Sequence, residues 1–190
     1  MATATQTSPP LFTAEDLERL PGEPRFELIR GELLPMADNS AEHGNVTARL
    51  SGPVIVFVEE HGLGECFAAE TRFIIERHPD TTLGPDFAFV AKARLPDPLP
   101  ASGYLQLAPD LVLETVSPND TKREVSLKVS QWLQSGTRVV WVLDPRPRTL
   151  TVHAAGEMPR IFRPEETLTG GDILPGFELP MLRIFRERNS

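Results

Sequence analysis

The chain reads as an α/β protein of the α+β kind, with strands and helices in mixed order. Three observations predict it. Leu111–Val116 and Val139–Leu143 are apolar runs of strand length, each closed by a proline a residue or two later, as expected for strands buried on both faces. Two longer stretches, from Ser40 to Gly62 and from Ser117 to Gly136, repeat apolar residues at helical spacing between cap-forming residues and a glycine stop. Phe26–Met36 folds back on itself at Arg30-Gly31, the pattern of a hairpin.

Taken in order, residues 1–10 are small, polar and uncharged, and are expected to be a flexible leader to one domain spanning residues 11–190. Thr13 caps a short helix to Leu20, with Glu15 and Asp16 in its first turn and Pro21-Gly22 as the stop. The hairpin comprises Phe26–Ile29 and Glu32–Met36. Glu27 and Glu32 flank its turn, where exposed edge charges are the simple expectation. The next helix carries Val46, Leu50, Val54, Phe57 and Val58 on one stripe, with Pro53 expected to kink it. His43 falls in its first turn, where the helix dipole favours a neutral ring able to accept a proton or bind a metal, or simply to cap the helix.

A meander of strands is expected next, at Cys66–Ala69, Arg72–Ile75 and Asp86–Val90, with Arg77-His78-Pro79-Asp80 as a polar turn. The proline-bearing stretch Ala91–Ala108 is an extended connection, long enough for a lid or an interface. It leads into the stretch that organises the rest. Glu114 lies inside the apolar run and shares a face with Val112 and Val116. An ionised carboxylate there costs several kcal/mol, in order of magnitude, unless a cation, metal or donor meets it. Asp86, opening a strand after Pro85, and Lys128, on the flank of the following helix one turn before Trp132, can converge on it. Two acids and a lysine are a minimal kit for a divalent cation and an activated water.

After that helix, Arg138–Leu143 is a strand ended by Asp144-Pro145, with Arg148–His153 as its hairpin partner. An irregular β region follows, and Arg183, Arg186 and Arg188 form a basic end that either touches phosphate or stays an exposed charge run. The formal net charge of −8 opposes non-specific adhesion to phosphate backbones, so a nucleic-acid partner must meet a local basic surface. One cysteine, Cys66, cannot close an internal disulfide, and no apolar run reaches a membrane span. Both fit a cytoplasmic protein without a membrane partner.

In combination and in order, Phe26-Glu27-Leu28-Ile29-Arg30-Gly31-Glu32-Leu33, Glu42-His43-Gly44, Pro85-Asp86, Leu111–Pro118, Lys128, Val140–Pro145 and Gly171–Phe177 resemble the Uma-type family of bacterial proteins, within the PD-(D/E)xK superfamily of restriction-endonuclease-like folds. The resemblance implies a central mixed sheet flanked by helices, with a cleft for Mg²⁺ or Mn²⁺ held by Asp86, Glu114 and the carbonyl of Thr115. It implies metal-assisted phosphodiester hydrolysis, with DNA as substrate and a homodimer as one arrangement for cutting two strands. The lysine usual two residues after the acid is replaced here by Val116. Lys128 takes its place, with Glu124 one turn earlier as a possible i,i+4 partner and Lys122 as a rival. His43 or Glu27 would complete the metal shell or relay a proton. Two other readings stay open: a nuclease fold kept for binding or regulation without turnover, and a purely structural Glu114–Lys128 pair.

Overall fold

The computed structural model describes residues 11–21, 26–36 and 39–185. The expected leader, Gly22, Arg186 and Arg188 lie outside them. In chain order the elements are α1 (Ala14–Glu18), β1 (Phe26–Ile29), β2 (Glu32–Pro35), α2 (Ala41–His61), β3 (Gly64–Ala68), β4 (Phe73–Glu76), β5 (Thr81–Leu83) and β6 (Phe87–Ala91). Then come β7 (Leu111–Thr115), α3 (Lys122–Gln134), β8 (Val139–Asp144), β9 (Thr149–Ala154), β10 (Arg160–Phe162), β11 (Thr167–Thr169) and β12 (Glu178–Pro180).

A six-stranded mixed sheet, in the order β10-β9-β8-β7-β6-β3, forms the centre. Its β7 and β8 run parallel, joined across α3, and its other neighbours are antiparallel. A four-stranded antiparallel sheet, β2-β1-β5-β4, forms a second layer. Alternation along the central strands sorts the core into two. Leu111, Leu113, Trp141 and Leu143 pack with Val46, Leu50, Val54 and Val58 of α2. Val112, Val140 and Val142 pack on the opposite face with Val129 and Trp132 of α3 and with Phe73 and Leu83 of the smaller sheet. Glu114 follows the parity of Val112, so its carboxylate enters the layer between the central sheet, α3 and the smaller sheet.

Local chemistry explains where the elements stop. Ser40 caps α2 by accepting from the His43 N–H, and Gly62 ends it in the left-handed region at φ 59°. The helix runs on through Pro53. The β1–β2 turn uses Arg30 and Gly31 at φ 51° and 81°, as a two-residue hairpin requires. A side chain at position 31 would also meet Leu11 at 2.7 Å.

Three expectations are revised. The run from Cys66 to Val90 is no simple meander. β3 pairs with β6 in the central sheet, while β4 pairs with β5 in the smaller one. β5, at Thr81–Leu83 just after the expected polar turn, is a strand that the sequence reading does not include, and its Thr81 and Thr82 are buried. The cap of α3 is Thr121, forming a capping box with Glu124, so Ser117, Asn119 and Asp120 belong to the loop before it. Among the described residues no helix is long and apolar enough to cross a membrane.

Candidate active site

At the end of β7 where Glu114 lies, the two sheets and the start of α2 enclose a cleft of about 450 Å³. Glu27, His43, Asp86, Glu114, Thr115, Ser117, Asn119, Asp120, Glu124, Lys128 and Gln131 line it, with Leu34, Met36 and Leu127 among its apolar walls. Five carboxylates thus face Lys128 and one imidazole, a field that favours a cation.

Each group arrives from a different element. Glu114, 8% exposed, accepts two bonds from α3: Trp132 Nε1 reaches its Oε1 at 2.7 Å and Lys128 Nζ its Oε2 at 3.1 Å. Lys128 also stands 3.0 Å from Glu27 Oε1 of β1. That contact lies outside hydrogen-bond geometry and is coulombic, leaving Oε1 buried without a directed donor. Asp86, just before β6, lies beyond the last β6–β7 pair, Phe87 with Leu113. Its Oδ2 takes the Thr115 N–H at 2.7 Å and stands 3.1 Å from His43 Nε2. Among the described residues Oδ1 of Asp86 has no such partner. Thr47 of α2 ties the same strand end from the other side, its hydroxyl 2.8 Å from that of Thr115.

Burial raises the Glu114 carboxyl above the usual carboxylate range. Lys128 opposes this, while Asp86 and Glu27 add to it as like charges. Burial also disfavours the Lys128 ammonium, but Glu114 and Glu27 outweigh it and hold the amine protonated. For His43, burial pushes the imidazole down, and the Asp86 carboxylate more than offsets it, so the net shift is upward. The ring therefore gains its proton more readily than usual, contrary to the neutral form expected from the helix dipole alone.

Of the residues singled out in the sequence, Asp86, Glu114, Thr115, Lys128 and His43 come together in this cleft. Glu32 is exposed and does not line it, and neither does Lys122. Glu27 is buried rather than an exposed edge charge. Glu124 does not hold Lys128, because its carboxylate bonds the backbone and hydroxyl of Thr121. Trp132 went unrecognised as a partner of Glu114. Its place one turn after Lys128 was the available signal, since residues four apart share a helix face.

Most of the ionisable groups lining the cleft are carboxylates, whose oxygens suit a hard divalent cation. Among the described residues no three His, Cys, Asp or Glu side chains form a ready cluster for a metal. A cation would need a backbone oxygen beside Asp86 and Glu114, and water to complete its shell.

Glu114 on a central strand, Asp86 at the neighbouring strand and Lys128 on the following helix thus meet at one end of the central mixed sheet. A crystal structure described as "a putative nuclease belonging to DUF820", from Anabaena variabilis ATCC 29413, superposes with a TM-score of 0.80 at 21% identity, covering 92% of this chain and 97% of that one. No curated protein matches the sequence. The family model described as "Uma2: Putative restriction endonuclease" matches residues 14–182, and the chain belongs to that family.

Proposed function

We propose that the protein is a Mg²⁺- or Mn²⁺-dependent endonuclease that hydrolyses phosphodiester bonds of DNA, working as one nuclease-like unit over residues 11–190. The observation that carries this reading is the meeting of Asp86, Glu114 and Lys128, from three elements, in one acid-lined cleft. Asp86, Glu114 and the Thr115 carbonyl would hold the cation. When bound, it supplies Lewis-acid charge that eases deprotonation of a water and offsets charge growing on the phosphate.

The remaining work falls to side chains. His43 and the Thr115 N–H occupy Oδ2 of Asp86, orienting the carboxylate so that Oδ1 is its oxygen without a partner among the described residues. Lys128 donates one N–H to Glu114 and stands in coulombic contact with Glu27, and its remaining N–H groups would orient the attacking water or meet a phosphate oxygen. His43, raised by Asp86, is suited to relay a proton. Cutting both strands needs two such sites, which a cytoplasmic homodimer supplies.

Plasmid incubated with the purified protein and either cation tests this. Nicked and linear products are expected, falling by at least about 100-fold in Asp86→Ala and in Lys128→Ala. Nicking that survived both changes, or a folded, cation-loaded wild type that never cut, would overturn it. The second reading, a nuclease fold that binds or regulates without turnover, is favoured by the net charge of −8. A folded, cation-loaded protein that neither cuts nor retains DNA would support it.

A further inference from the structure

We infer that Trp132 is a positioning residue, which fixes the Glu114 carboxylate through its indole N–H so that Oε2 stays turned toward Lys128 and an incoming cation. This rests on the proposed cation site. It adds a role for a side chain that neither the family description nor the sequence motifs assign.

The geometry is specific. Trp132 is fully buried, and its Nε1 lies 2.7 Å from Oε1, a short bond from a neutral donor to a charge-bearing acceptor. An indole N–H only donates, and it neither ionises nor changes role over the working pH range. Oε1 is therefore held by a partner indifferent to proton and cation traffic, while Oε2 faces an ammonium shared with Glu27. Trp132 stands four residues after Lys128, so one helix presents both donors to the two oxygens of one carboxylate.

The indole ring is itself held. Phe73 of β4 meets it edge-on, with centroids 6.4 Å apart and planes at 75°, and Trp132 shares a core with Val112, Val140 and Val142. Rotation of the Glu114 carboxylate would break the bond to a donor that cannot follow. Lys128 alone would not impose this, because an ammonium on a flexible stem is a point charge that follows its partner.

Trp132→Phe keeps an aromatic ring in the core and removes the donor. The expected result is a folded protein whose Mg²⁺ affinity by calorimetry falls about 10-fold, with kcat lowered by a similar factor and KM for plasmid unchanged. Indole N–H resonances report the contact directly, and the chain has two tryptophans, of which Trp132→Phe identifies one. Without any cation, Glu114→Gln should move the Trp132 resonance and leave that of Trp141 in place. In the wild type, Mg²⁺ titration should move it as well.

Trp132→Phe with unchanged Mg²⁺ affinity and kcat, or a Trp132 resonance insensitive to Glu114→Gln, would overturn the inference. If Glu114→Gln moves the resonance but the wild type binds no Mg²⁺ or Mn²⁺, the cation site is overturned instead, leaving the indole–carboxylate contact standing.

Discussion

Two buried carboxylates, Asp80 and Glu114, each face a cation, and they end in opposite states. Asp80, 5% exposed, lies in the turn before β5, where it accepts the N–H groups of Ala14 and His78 and the Arg77 guanidinium at 2.8 Å. Burial pushes its carboxyl up, but these donors outweigh burial and hold it below its ordinary value. Glu114 is nearly as buried and stays raised. It has two donors, one of them divided with Glu27, and Asp86 adds a like charge. The lesson concerns saturation. A buried acid whose lone pairs are filled by backbone and guanidinium pins α1 to a turn, whereas an acid that shares its one lysine with Glu27, beside the like charge of Asp86, stays raised.

The contrast can be broken in several ways, the largest being catalytic. Glu114→Gln should lower metal-dependent cleavage on the order of 10³-fold, while Asp80→Asn should leave cleavage measurable at temperatures well below its melting point. Thermal unfolding should reverse the ranking. Asp80→Asn leaves Arg77 facing an amide and disturbs the N–H contacts, for a loss of about 3 kcal/mol, or about 6–12 °C in Tm. Glu114→Gln, which removes a carboxylate held against burial and like charge, should stay within about 2 °C of wild type. A larger drop for Glu114→Gln than for Asp80→Asn would show that Glu114 is the structural pair and Asp80 the dispensable one.

Acid titration sharpens the same point. Because the folded state depresses the Asp80 carboxyl, its stabilisation is complete above the ordinary aspartate value of 3.8 and is lost as pH falls through the lower, folded-state value. Urea unfolding from pH 5 down to pH 2 should show a shallower loss of stability in Asp80→Asn than in wild type. The smallest effect should come from Thr121→Ala, which opens the capping box of α3 and should lower Tm by about 3 °C. It perturbs the helix bearing Lys128 and Trp132 without touching either acid.

The parts that were legible in the sequence are those in which burial follows a period. β1 and β2, α2 with its Ser40 cap and Gly62 stop, and the apolar strands β7 and β8 all stand where periodicity, caps and turn residues put them. β5 was not legible because three residues give alternation too little length to register, and because Thr81 and Thr82 are buried by pairing rather than by apolar character. In the site, strand parity gave the face of Glu114 and helix spacing gave that of Lys128. Neither pattern says what the polar tip of a side chain will meet. Glu27 looked like an edge charge because its strand was read alone, and it is buried by residues about 100 positions away. Glu124 had the right spacing for Lys128, but Thr121 offered its carboxylate two nearer donors.

Glu27 and Glu114 belong to different sheets, yet both lean on the same nitrogen of Lys128. The ammonium is therefore neutralised from both sides only where the two β layers are both in place. If the smaller layer packs out of register, a positive charge stays half-compensated in a poorly hydrated place. Misassembly then carries its own penalty, registered at the spot where chemistry is to begin.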